Sequence, residues 1–233
     1  MKDNSVVKKA FVDSVPVAAG YIVLGIGFGF ILNTKGYGLP WAMAMSLFIY
    51  AGSMQFVCIN LITSGASLAA AALTTLMVNA RHLFYGISMI DRYRGTGKAK
   101  PYLIFALSDE TYSLVCRDNI DVPKEKLTAY FFLVSLLDQA YWNIGTFIGS
   151  SAGYLLNINS DGMDFALTAL FITIVTEQWL SSDRHRPAII GGAVSVICLL
   201  VFGPSNFLIP AMIAITIGMF AIRKMEEGKD AGN

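Results

Sequence analysis

Residues 36–80 read GYGLPWAMAMSLFIYAGSMQFVCINLITSGASLAAAALTTLMVNA, without one Asp, Glu, Lys or Arg. An aqueous surface loop would interrupt a run that long with charge. Residues 187–222 are equally uncharged. Over all 233 residues, 55% are hydrophobic and 14% charged, and the mean hydropathy is +0.58. A soluble domain carries about 25% charged residues, so the bilayer is the expected solvent for most of the chain. That argues against a nucleic-acid binder, a disulfide-stapled secreted domain and an ordinary soluble enzyme. The net charge of +1 gives no sign of an acidic polymer partner.

Outward from that stretch, the apolar block continues from Leu39 to Ile90. A crossing needs roughly 20 residues, so the block holds at least two helices, with Thr63-Ser64-Gly65 as the turn between them. Asn79-Ala80-Arg81-His82 interrupts the second. Upstream, Pro16 to Leu32 is a first span ending in the turn cluster Asn33-Thr34-Lys35-Gly36. Lys8 and Lys9 precede it, but no A-x-A cleavage site follows, so it reads as retained. Downstream comes a basic loop with Arg92, Arg94, Lys98 and Lys100. Pro101 to Val115 is too short for a full crossing and carries Asp109 and Glu110, which suggests a re-entrant or broken segment. Leu127 to Asn157 contains Asp138, and Phe165 to Leu180 contains Glu177. Pro187 to Phe202 and Phe207 to Ile222 complete the series. The expected fold is an all-α polytopic membrane protein of about seven or eight spans with broken helices.

Lys and Arg in short loops set orientation. Lys2, Lys8 and Lys9 place the N-terminus in the cytoplasm, and Arg223 and Lys224 do the same for the C-terminus. The basic loop fits this rule only if the chain breaks and turns back near residues 79–82. A single span over residues 68–90 would put it outside.

An internal repeat is visible. Gly25, Gly29, Leu32 and Asn33 recur as Gly149, Gly153, Leu156 and Asn157 at an offset of 124. At 123, Leu47, Phe48, Ile49 and Gln55 recur as Leu170, Phe171, Ile172 and Gln178. The organisation this implies is a cytoplasmic segment 1–15, a first membrane repeat 16–126 with the basic loop, a second repeat 127–222 and a cytoplasmic tail 223–233. Transporters are often built from such repeats, with the substrate site between them.

Several groups could carry chemistry. Gly25-Ile26-Gly27-Phe28-Gly29 lies inside an apolar span, without a preceding strand or a suitably spaced acid, so it reads as helix packing rather than a phosphate loop. Gly145, Gly149 and Gly153 form a second small-residue stripe, for contact within the chain or with a partner. Gly52, Ser53, Gln55 and Phe56 permit a helix break whose bare N–H groups suit a carboxylate; alternatively Gln55 only bonds a neighbouring helix. Asn79, Arg81, His82 and Tyr85 form a costly polar group at membrane depth, read as an anion contact or gate unless Arg81 merely snorkels to the headgroups. Asp109, Glu110, Asp138 and Glu177 are candidates for proton coupling, because a carboxyl that loses water keeps its proton to higher pH. Structural pairing is the alternative for each. Cys58, Cys116 and Cys198 are widely spaced packing residues. No metal site, cofactor or hydrolase motif is expected.

Two of these groups carry a family likeness. Phe48 to Phe56, with Ala51-Gly52 and Gln55-Phe56, resembles the FAG-x-x-QF motif of the AzlC-like large subunits of bacterial branched-chain amino-acid exporters. Asn79 to Gly86 is similar to their N-x-RH-x-x-YG motif, and Asp109-Glu110 to a DE pair after a basic loop. Tyr50 departs from the usual residue before Ala-Gly. The resemblance spans nearly the whole chain. It implies export of valine, leucine, isoleucine or similar neutral amino acids, a bacterial inner-membrane location, and a small AzlD-like membrane subunit as partner.

The combined expectation is a permease that exports a small aliphatic zwitterion, driven by the proton gradient. Gln55 and Arg81 would line one cavity, with Met54, Phe56 and Phe84 as apolar walls. A non-transporting membrane scaffold is the rival. A membrane enzyme lacks a convergent nucleophile or metal set.

Overall fold

Apolar runs cut by Gly, Asn and Ser should give short helices, and they do. The computed structural model describes residues 3–117, 120–156 and 185–203, with scattered positions from 172 to 218. Every element among them is helical. Helix α1 (Asp3–Thr34) runs unbroken past Pro16. Helix α2 (Leu39–Phe48) starts with Pro40 in its first turn, where a missing N–H costs nothing. It stops at Ile49-Tyr50-Ala51. Tyr50 has φ +43°, a left-handed conformation uncommon for an aromatic residue. Helix α3 (Gly52–Thr63) follows, and a turn through Gly65 at φ +64° leads to α4 (Leu68–Val78). The Ser67 hydroxyl caps α4 by accepting from the Ala70 N–H at 3.2 Å. Asn79, at φ −94° and ψ 5°, separates α4 from α5 (Ala80–Ser88). After the basic loop come α6 (Lys100–Phe105), α7 (Asp109–Val115) and the 30-residue α8 (Leu127–Leu156). The expected breaks thus fall at residues 49–51, 79 and 106–108. Among the described residues, only α1 (Val6–Thr34) is by itself long and apolar enough to cross a membrane.

Helices α1 and α8 form the frame of the unit Met1–Leu167. A Cβ on Gly149 would lie 2.0 Å from the Ile26 carbonyl oxygen, one on Gly29 2.2 Å from that of Thr146, and one on Gly145 2.5 Å from that of Ile22. Only glycine allows backbones this close. The two small-residue stripes therefore pack on each other within the chain. The contacts Ile22–Gly145, Ile26–Gly149 and Asn33–Gly153 climb both helices together, so the helices are parallel.

The other helices hang on this frame. Near Gly38 and Pro40, α2 lies beside Ser150 and Tyr154. At its other end the Leu47 carbonyl accepts from Gln139 at 3.3 Å, so α2 runs against α8. Helix α3 leaves from Gly52, and α4 returns far enough for Arg81, just beyond it, to reach Ser53. Helix α5 then carries the chain to the end where α1 and α8 begin. There Met89 and Tyr93 join Val6, Ala10, Phe131 and Val134 in a buried cluster. Leu103 of α6 and Val115 of α7 belong to the same cluster. Helices α6 and α7 fold back as a hairpin on this cluster, which also takes Leu107 from the bend between them. Arg92 donates to the Arg117 carbonyl and sits 5.9 Å from the Phe131 ring centroid. The basic loop thus lies near the N-terminal end of α1.

The unit Thr168–Asn233 contains α9 (Arg186–Phe202), which ends at Gly203 with φ +75°. Trp179 stacks on His185, their centroids 4.2 Å apart. Residues 157–171 and Gln178, the counterpart of α2 and α3 in the proposed repeat, lie outside the described residues.

Candidate functional site

The two bends meet. The Tyr50 ring, between α2 and α3, lies 6.2 Å from the Phe105 ring at the end of α6. Beside them, Arg81 joins the first turns of three short helices. Its Nη1 is 2.9 Å from Asp109 Oδ2 on α7, and its Nη2 donates to Ser53 Oγ on α3 at 3.1 Å. Arg81 and Asp109 are 38% and 31% exposed, so water screens the pair and its value is chiefly positional. The Asn79 carbonyl accepts from the His82 N–H at 2.9 Å and lies 3.2 Å from His82 Nδ1. His82 meets the Tyr85 ring edge-on, and Tyr85 stacks on Tyr112 at 4.5 Å.

The other half of the predicted set faces the frame. A Cβ on Gly52 would come within 3.0 Å of the Trp142 ring, so the small residue lets α3 start against α8. Phe56 packs edge-on against Phe28 at 5.7 Å. Gln55 is fully buried, and neither its amide nitrogen nor its oxygen has a hydrogen-bond partner. An unmet buried amide is costly.

A cavity of about 340 Å³ opens between the bends. Tyr50, Asn79, His82 and Lys100 provide its polar lining. Ile49, Leu83, Met89, Ile104, Phe105 and Leu107 are among its apolar walls. The sequence reading groups Gln55 and Arg81 in one cavity. Gln55 and Arg81 are not among the lining residues of this one: Gln55 is fully buried on α3, and Arg81 reaches Ser53 and Asp109. Phe56 is taken up by Phe28, and Phe84 is half exposed. Sequence reasoning missed Lys100 by treating it as one more charge of the basic loop. Pro101 immediately after it was the available signal, since Pro in a first helical turn marks Lys100 as a helix start.

The acids fall in two places. Asp109 pairs with Arg81. Glu110 Oε2 accepts from the Tyr21 hydroxyl at 2.6 Å. Asp138 is fully buried on α8; its Oδ2 accepts from Thr111 Oγ1 at 2.7 Å, and its Oδ1 has no partner. Glu177 lies outside the described residues. No cluster of potential metal ligands occurs among the described residues.

The family described as AzlC protein matches residues 16–156. The chain is also 43% identical over 217 residues to the branched-chain amino acid transport protein AzlC of Bacillus subtilis, covering 93% of this chain and 85% of the relative. The chain belongs to the AzlC family. That family is one of transport proteins, not enzymes. A Helicobacter pylori relative described as an uncharacterized membrane protein is 39% identical over 222 residues, 94% of this chain and 96% of its own. The inner membrane protein YgaZ of Escherichia coli is 27% identical over 203 residues, 86% and 82% of the two chains. No solved structure matches. The family match runs from the first span to the end of α8, and so includes every candidate residue except Glu177.

Proposed function

We propose that this membrane transport protein exports branched-chain or similar neutral amino acids through the cavity between the two bends. The cavity itself carries the reading. About 340 Å³ lies within the roughly 300–1,000 Å³ of small-molecule sites. Its apolar walls suit an aliphatic side chain, and Lys100 offers a positive charge to a carboxylate. The Asn79 carbonyl and His82 suit an ammonium group. The name of the Bacillus subtilis relative supports the substrate class. Arg81 and Asp109 act beside the cavity by holding α3, α5 and α7 in register. Gln55 and Gly52 fix the start of α3 against α8. Proton movement through Glu110 and Asp138 drives the cycle.

The test is labelled valine and leucine efflux from loaded cells, read with membrane abundance. Lys100→Ala is expected to weaken transport by roughly tenfold or more, the rate equivalent of a lost charge-assisted contact of about 1.5–3 kcal/mol. His82→Ala should weaken it less. Normal efflux in both variants at equal abundance would remove the cavity from the pathway.

The chain is proposed to be multi-pass with cytoplasmic termini, and to work with a small AzlD-like membrane subunit. With the native cysteines replaced, Lys98→Cys is expected to react with an impermeant maleimide from the cytoplasmic side. Ser64→Cys, in the turn between α3 and α4, should react from the opposite side. Labelling of both from one side would overturn this topology. Full export by the chain alone, with the small subunit's gene deleted, would rule out an obligatory partner.

A further inference from the structure

Tyr21 OH lies 2.6 Å from Glu110 Oε2 and 2.6 Å from Ser108 Oγ. Ser108 Oγ is 3.0 Å from Thr111 Oγ1, and Thr111 Oγ1 is 2.7 Å from Asp138 Oδ2. Three hydroxyls thus connect two carboxyl groups without a gap. Each hydroxyl has one hydrogen to give and lone pairs to receive, so the row can point either way. Tyr21 and Thr111 are buried, and Asp138 is fully so. Ser108, the middle hydroxyl, is half-buried, and its Oγ also accepts from the Thr111 backbone N–H at 3.1 Å. The flanking groups are Asp109, paired with Arg81 beside Glu110, Tyr50, which stands near both Glu110 and Asp138, and Tyr102 and Tyr130, which stand near Asp138.

We infer that Tyr21, Ser108 and Thr111 form a proton wire that lets Glu110 and Asp138 share a single proton. With the proton on Glu110, its O–H donates to Tyr21, Tyr21 to Ser108, Ser108 to Thr111 and Thr111 to Asp138. One concerted shift moves each hydrogen along its own bond. It leaves Glu110 ionised, Asp138 protonated and every hydroxyl neutral. No charge is left on a hydroxyl, and no co-reactant is needed. The wire spans three elements: α1 holds Tyr21, the α6–α7 hairpin holds Ser108, Glu110 and Thr111, and α8 holds Asp138. Displacement of the hairpin from the frame would open the wire at Tyr21 and at Asp138 together. The Oδ1 of Asp138 is buried and has no hydrogen-bond partner, so the wire does not engage it. Asp138 is thus the inner terminus, and Glu110, beside the part-exposed Arg81–Asp109 pair, the outer one. This inference deepens the proton coupling proposed above and rests on that reading only for its transport test.

The experiment uses the full-length chain in proteoliposomes with labelled valine. Counterflow exchanges substrate without net proton movement, whereas accumulation driven by an imposed pH gradient requires coupling. Tyr21→Phe and Thr111→Val keep shape and remove one hydroxyl each. Both are expected to retain counterflow and to lose gradient-driven accumulation by roughly tenfold or more, as for a lost charge-assisted hydrogen bond. Thr111→Ser should restore it. Unchanged accumulation in either variant, or loss of counterflow with it, overturns the wire. So does a wild-type chain that shows counterflow but no gradient-driven accumulation, which leaves the transport reading intact. A wild-type chain with no counterflow of any neutral amino acid sinks the substrate reading, and infrared titration of the purified chain then decides. Glu110→Gln is expected to move the titration midpoint of the protonated-carboxyl band that Asp138→Asn removes, and Tyr21→Phe to shrink that displacement. A band indifferent to both changes overturns the wire.

Discussion

Arg81→Ala is expected to reduce valine and leucine efflux to background while the chain still reaches the membrane at normal abundance. The guanidinium ties Ser53 to Asp109 across three separate short helices. Without it, the starts of α3, α5 and α7 lose their common anchor, and Asp109 loses its ion-pair partner. The pair is part-exposed, so stability should fall little. The effect should appear in transport because the cavity wall is made by the same helices. Arg81→Lys should rescue poorly, since one ammonium does not reproduce a planar fork that reaches two partners. Efflux measured beside immunodetected abundance checks both variants. Normal efflux in Arg81→Ala would reduce the cluster to helix packing.

Gly149→Ala is expected to cost folding rather than catalysis of transport. Its Cβ would sit 2.0 Å from the Ile26 carbonyl oxygen, far inside contact distance, and the obstacle is backbone rather than a movable side chain. Overpacking costs about 1–3 kcal/mol and occasionally more, and here α1 and α8 would have to separate along several turns. Thermal unfolding of the detergent-purified protein and its membrane yield should both drop sharply. Gly20→Ala on α1, where a Cβ meets nothing within 4 Å, is the control and should be neutral. Equal yields for the two variants would contradict the close helix approach.

Much of this architecture was legible in the residues. The charge-free stretch 36–80 announced a membrane solvent, and Gly, Asn and Ser within it marked where the helices break. Glycines four apart announced a close helix contact, though not that the two stripes would face each other. That the basic loop packs in one cluster with Val6 and Phe131 could not be read from hydropathy, because counting apolar runs does not register how short helices fold back on long ones. The candidate residues were found, but their grouping was not. Periodicity places Arg81 and Tyr85 on one face, and pairing with Arg81 was an alternative reading of the acids; that Asp109 is the one that takes up the guanidinium was not legible. Tyr21, Ser108 and Thr111 carried no signal at all, since a hydroxyl in an apolar run is ordinary until a carboxylate stands opposite.

The glycine contact between α1 and α8 has a mechanical corollary. Where backbone rests on backbone, no side chain can swing aside to let one helix creep past the other. A slide would have to jump a whole glycine-to-glycine step of four residues, about 6 Å at 1.5 Å per residue. In the observed register a Cβ at Gly29, Gly145 or Gly149 would press into a carbonyl oxygen. The pair therefore behaves like a keyed shaft. It transmits load without yielding, and it leaves the work of opening and closing to the half-length helices mounted on it.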